Sequence, residues 1–183
     1  MNDLNINLKI PVVHDKEKNL IFRKNISYRS DWTKEHVLTL KHQYKNKPFA
    51  YMYYPILYQL LNKKEVNLSK FLTDQIMLIA DWLKFNIQIE LASDIGFEDD
   101  NNQTIINWHK HLGCNEYINS SSVFERGFVD KTLLKQQHIA VYNFSNLPNI
   151  NIFEYYKDLS ILSFLFQFGP EAGYLIRQFM PVP

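Results

Sequence analysis

Few side chains in this sequence can do acid–base chemistry near neutral pH, and His36 has the most suggestive neighbours. It follows Glu35, shares a predicted helix with Trp32 one turn earlier, and lies close to Asp31. An imidazole with a carboxylate beside it can serve as general base or proton shuttle. A histidine satisfied by hydrogen bonds within a core is the alternative reading. The remaining histidines do not assemble a metal site. His109 and His111 form a His-x-His pair, but positions i and i+2 of a helix point about 200° apart. His36 and His42 also miss a common face. With one cysteine, Cys114, and no His-Glu-x-x-His pattern, no metal centre is expected.

The hydroxyl and carboxylate clusters are weaker signals. "SSS" at 120–122 has no Gly-x-Ser-x-Gly elbow around it and reads as a turn or helix cap. "FEDDNN" at 97–102 lacks the alternating ligands and central glycine of a calcium loop and reads as a solvated loop. Cys114 has no basic sequence neighbour and is expected to be a packed thiol. Five glycines in all exclude both a P-loop and a dinucleotide fingerprint. Ser93 and Asp94 close the predicted strand of "IELASDIGF", the end at which α/β folds hold ligands. Tyr44, Phe49, Tyr51, Tyr54 and Tyr58 alternate with Lys41, Lys45 and Lys47. They read either as core with hydroxyls at the surface or as a stacking platform.

The elements that must position these groups follow from patterning. The 183 residues, 46% apolar and 21% charged, suit one globular domain over 1–183. A net charge of +1 argues against a nucleic-acid or anionic-membrane surface. The start "MNDLNINLKI" has no basic region followed by an apolar one, so a reducing cytoplasm is the expected compartment. The apolar run 159–168 spans about half of what a bilayer crossing requires, so no membrane span is expected.

"INLKIPVV" (6–13) and "LIFRKNIS" (20–27) read as two strands, and 30–44 as a helix capped by Ser30 or Asp31 with Trp32, Val37, Leu40 and Tyr44 on one face. Pro48 opens a second helix, in which Pro55 removes one hydrogen bond. Residues 67–85 form an amphipathic helix with Leu68, Leu72, Ile76, Ile79 and Leu83 at helical spacing. From 87 onward the order is strand (87–93), helix closed by Gly113, strand (116–120), helix (128–138) and strand (139–144). That rhythm predicts an α/β fold: one three-layer-like domain, its sheet mostly parallel, flanked by helices, with a C-terminal helix pair. In that pair Asp158 caps the first helix, Gly169 ends it and Pro170 opens the second. Ser160, Ser163 and Gln167 draw a narrow polar stripe on the first helix, facing either water or a cavity.

Five segments in order resemble the WbqC-like family. "LKIPVV" is similar to its Val-Pro-Val strand, and "DWTKEHVLTLKHQYKNKPFAYMYYPILYQLL" to its Trp-x-x-x-His segment with the following Tyr and Pro-aromatic helix. "ELASDIG" and "HKHLGCNEYI" resemble a strand end and a Leu-Gly-Ala-x-x-Tyr-Leu segment. "LSILSFLFQFGPEA" is similar to a terminal Leu-Ser-Ile-Leu-Asp-Leu-Leu-Phe-Asn-x-Gly-Pro-Glu-Ala. The resemblance implies a role in O-antigen or surface-polysaccharide biosynthesis. One implied activity is transfer of glycine or another aminoacyl group to a nucleotide-linked amino sugar. It carries His36 over as acid/base, and Trp32, Tyr44, Ser93, Tyr117, Ser163, Gln167 and Glu171 as substrate contacts. No cofactor is named by it. Three departures are visible: the chain is expected to start after the family's Pro-, aromatic- and Gly-rich first segment, "INSSSVFERGF" replaces a Ser-Gly-x-x-Gly stretch, and Ser163 and Gln167 replace Asp and Asn. They motivate an alternative, a non-catalytic binding or assembly protein of the same fold. An uncovered sheet edge would then favour a homodimer.

Overall fold

The computed structural model describes residues 6–14, 20–96, 100–144, 156 and 159–179. The chain divides into two compact units, one from residues 1–87 with 148–183 and the other from 88–147.

The first unit is helical. Helix α1 (Trp32–Tyr44) buries Trp32, Val37, Leu40 and Tyr44, the face that spacing predicts, and with them Thr33 and His36. Helix α2 (Ala50–Asn62) starts two residues after Pro48 and runs through Pro55, burying Tyr53, Leu57 and Leu61 at i, i+4 and i+8. Tyr51 and Tyr58 point away from that face, Tyr51 being 77% exposed. Helix α3 (Leu68–Trp82) is capped by Asn67, whose side chain accepts from the Lys70 amide at 2.9 Å. Phe71, Ala80 and Trp82 are buried; of the predicted stripe, Leu83 is buried, Leu68 and Ile79 pack against the core, and Ile76 is 54% exposed. Apolar residues cover so much of this helix that it contributes to the core from more than one side.

The two predicted N-terminal strands form only isolated bridges. Val12 bridges Ile26 and Asn25 bridges Asn67, both antiparallel, and Ile21–Arg23 is a 3-10 turn. Val13 N donates to the Asn25 carbonyl and Ser27 N to the Pro11 carbonyl, each at 2.8 Å. Pro11 can accept but has no N–H to return, which shortens the ladder.

Helix α8 (Ile161–Phe168) buries Ser163, Phe164, Leu165 and Phe166. Ser160 is its cap, accepting from the Leu162 amide at 3.3 Å; the expected cap Asp158 lies outside the described residues. Gly169, at φ 57° and ψ −135°, ends the helix, and the 3-10 turn Gly169–Glu171 leads into α9 (Ala172–Phe179). Both glycines of this hinge are sterically required. A Cβ on Gly169 would overlap the Phe49 ring, and one on Gly173 would overlap the Leu83 carbonyl at the end of α3. Arg177 caps the same end of α3, donating to the Leu83 carbonyl at 2.9 Å and the Lys84 carbonyl at 3.2 Å. The core is aromatic: Tyr44 lies 4.5 Å from Phe166, and Tyr53 4.6 Å from Trp82, between ring centroids.

The second unit begins without the predicted strand 87–93. Residues 87–91 have no regular structure and Ala92–Ile95 form a short helix, α4. Alternation alone does not make a strand, because its backbone groups need a neighbouring ladder. Helix α5 (Asn101–Leu112) is capped by Asp100, which accepts from the Asn102 amide at 2.7 Å. It closes on Gly113 in the left-handed region, as expected. Strand β1 (Glu116–Ser120), helices α6 (Ser121–Glu125) and α7 (Lys131–Gln136), and strand β2 (Ala140–Phe144) complete a parallel crossover unit. Ile105, Ile106, Val129, Leu134 and Ile139 form its core, with Tyr117, Phe124 and Val141 packed against it. The described residues are thus mostly helical, with a two-stranded parallel sheet, compatible with the α/β class. Among them no helix is long and apolar enough to cross a membrane.

Candidate functional site

In the first unit His36 is buried within α1. Its Nε2 lies 3.1 Å from the Lys9 carbonyl, so this nitrogen carries the proton and donates it. The ring stands edge-on to Trp32 at 4.9 Å, and the Trp32 indole N–H donates to the Ser27 carbonyl at 3.1 Å. Burial pulls the imidazole below its ordinary 6.5, against the smaller opposing pulls of the Lys9 carbonyl and Glu35. Burial thus favours the neutral ring. Trp32 and His36 together fasten the extended segments 6–13 and 27–28 to α1. Tyr28 extends the clasp, stacking on Trp32 and donating to the Glu65 carbonyl at 2.6 Å.

Tyr44 and Ser163, far apart in sequence, meet inside the same core with their oxygens 2.9 Å apart. Gln167, one turn further along α8, accepts from Lys47 Nζ at 3.4 Å. The polar stripe of α8 is therefore divided. Ser160 caps the helix at the surface, Ser163 is sealed against Tyr44, and Gln167 is half-buried beside Lys47. Glu171 is exposed on the hinge turn. An open apolar groove of about 600 Å³ between α2 and α3, lined by Ile56, Leu60, Met77 and Leu78 among others, contains none of these residues.

In the second unit Ser93 sits on α4 and donates to Asp94 Oδ1 at 3.2 Å. Tyr117, on β1, accepts at its hydroxyl from Asn119 Nδ2 at 2.7 Å. Its ring lies 5.9 Å from His109 and 6.3 Å from Phe124. His109 and His111 have the separate surroundings that helix geometry requires. His109 is buried, with Nδ1 2.8 Å from the Ile105 carbonyl and Nε2 2.9 Å from the Glu116 carbonyl, tying α5 to β1. His111 is exposed and meets Glu90 at 3.3 Å. Among the described residues no three His, Cys, Asp or Glu side chains are placed to hold a metal ion. Cys114 is exposed, not packed, because the left-handed turn at Gly113 carries the chain off the end of α5. Within the serine run, Ser120 occupies the position before α6 without a side-chain bond to its amides, and its Oγ lies 3.0 Å from Ser122 Oγ.

The structure thus brings together Trp32 with His36, and Tyr44 with Ser163, in the first unit; Ser93 and Tyr117 belong to the second. Sequence reasoning missed Asn119 and Asn143, which face each other in register across β1 and β2. The signal was the shared strand alternation of "EYINS" and "AVYNF", with an asparagine fourth in each.

The WbqC-like protein family model matches residues 2–174, a span that runs through both units. No curated protein and no solved structure matches the chain. The chain belongs to the WbqC-like family.

Proposed function

We propose that this WbqC-like chain is a transferase of surface-polysaccharide assembly that adds an aminoacyl group to a nucleotide-linked amino sugar. The observation that carries the reading is the family match over 2–174, which includes the hinge motif "FGPEA" and the Trp32–His36 pair. In such a reaction the sugar amine attacks an activated carboxyl carbon, the activating group leaves, and a base takes the amine proton.

On this reading the first unit is the frame. Trp32, His36, Tyr44 and Ser163 direct their polar atoms at internal partners, and the acid/base role passes from His36 to a group with water access. Gln167 and Glu171 are the polar groups of the terminal motif that reach the surface, and Ser93 and Tyr117 supply contacts in the second unit. A single three-layer domain working in the cytoplasm remains part of the proposal. The test is mass spectrometry of UDP- and dTDP-linked amino sugars incubated with the chain and activated glycine. A glycyl mass gain that needs the chain supports the reading, and unchanged sugars with every donor contradict it.

One observation favours a second reading, a binding or assembly protein without turnover. Ile118 and Tyr142 are register partners on β1 and β2, 58% and 41% exposed, on a parallel sheet of the kind that is usually covered on both faces. Under that reading the chain forms a homodimer or a complex and modifies no sugar.

A further inference from the structure

We propose that the carboxyl ends of β1 and β2 form a site for the uncharged, hydroxyl-rich ring of a sugar, held by Asn119 and Asn143. Tyr117 pairs with Val141 and Asn119 with Asn143, and in-register residues of neighbouring strands project to the same face. Tyr117 and Val141 pack on the unit's core, so the two asparagines follow on that same face, one rung nearer the strand ends. An apolar rung is succeeded by a rung of two carboxamides where open parallel sheets take their ligands.

The surrounding groups share one chemistry. Asn119 Nδ2 donates to the Tyr117 hydroxyl at 2.7 Å, and Asn119 Oδ1 accepts from the Ser120 amide at 2.8 Å. Asn143 Nδ2 donates to Ser121 Oγ at 3.1 Å. These bonds hold both amide planes while leaving each carboxamide further donor and acceptor capacity. Every group in the set is neutral. A phosphate would call for cations, whereas amides and hydroxyls match neighbouring sugar hydroxyls or an acetamido group, which also donate and accept. Tyr117 lies edge-on to Phe124 at 6.3 Å, and Phe124 in turn engages the Lys131 ammonium 4.3 Å from its centroid. The amides and hydroxyls therefore match the sugar part of a nucleotide-linked sugar. In this the site rests on the transferase reading for its context, but not for its chemistry.

The test uses the full chain, isotope-labelled, with the asparagine side-chain amides followed by NMR. It is titrated separately with N-acetylglucosamine, UDP and UDP-N-acetylglucosamine, and repeated with Asn143→Asp, which keeps the shape and one acceptor but removes the amide donor. The expected result is a saturable shift of the Asn119 and Asn143 side-chain signals with both sugar compounds and not with UDP. Asn143→Asp then weakens that binding about tenfold with an unchanged melting temperature. Sugar compounds that leave both asparagine signals still, whether or not they bind elsewhere, overturn the site. Binding elsewhere would leave the transferase reading intact. Shifts with the free sugar and none with nucleotide sugars would keep the site and remove that reading.

Discussion

The two units treat their polar groups in opposite ways. In the first, three of the groups that suggested chemistry are turned inward and consumed: His36 by the Lys9 carbonyl, Tyr44 by Ser163, Trp32 by the Ser27 carbonyl. In the second, His109 is consumed in the same manner, but Tyr117, Asn119, Ser121 and Asn143 collect toward the carboxyl ends of a short parallel sheet. Residue types that suggest chemistry therefore mean different things in the two places. A buried, partnered polar group is a stability element, whose removal strands its neighbour. An accessible cluster can exchange its water for a ligand at little structural cost.

The largest effect that would test this contrast lies at the hinge of the first unit. Gly173→Ala forces a methyl group into the Leu83 carbonyl and is expected to cost about 3 kcal/mol or more, read as a collapse of the urea midpoint. Tyr44→Phe leaves Ser163 without its hydroxyl partner and should cost about 1–2 kcal/mol. The same substitution should leave sugar binding unaltered, and a loss of binding at unchanged stability would reverse its assignment.

The pH dependence of stability should carry the mark of His36. Its folded pKa lies below 6.5, so below 6.5 the unfolded chain binds the extra proton. The contribution is complete above pH 6.5 and is lost as pH falls from there through the lower folded value. His36→Gln should flatten that slope in denaturant melts taken across the range. The smallest effect concerns Tyr53, whose hydroxyl is buried with no hydrogen-bond partner among the described residues. Tyr53→Phe removes an uncompensated polar atom and should be neutral or stabilising by up to about 1 kcal/mol. A clear loss on calorimetry would mean that the hydroxyl has a use.

How much of this was legible in the sequence follows the same division. The helices were legible because periodicity and end signals are local: Gly113 and the Gly169–Pro170 break act where they were expected, whereas Asp100 caps α5 from a run read as loop and the Asp31 side chain makes no cap bond to α1. The crossover from β1 to β2 was legible from its strand–helix–strand spacing. The strand at 87–93 was not, because alternation records a preference, and a strand also needs a partner that local sequence cannot supply. The candidate site was read from residue types, which is why His36 drew attention. Its neighbour Lys9 is a backbone contact reached across 27 positions, and no spacing rule predicts it. Asn119 and Asn143 were overlooked for the converse reason. Each is an ordinary strand residue until register places them side by side.

The measurement that bears most directly on the account is thermal melting of the chain against UDP- and dTDP-linked amino sugars, with glycine, ATP and CoA thioesters as companions. A ligand at 100 times its dissociation constant adds about 2.7 kcal/mol. For a chain of this length that is a rise of roughly 5–10 °C. The account predicts such a rise with at least one nucleotide-linked amino sugar, and the same rise in Tyr44→Phe measured from its own lower baseline. A cooperative melt that no nucleotide sugar moves would contradict it.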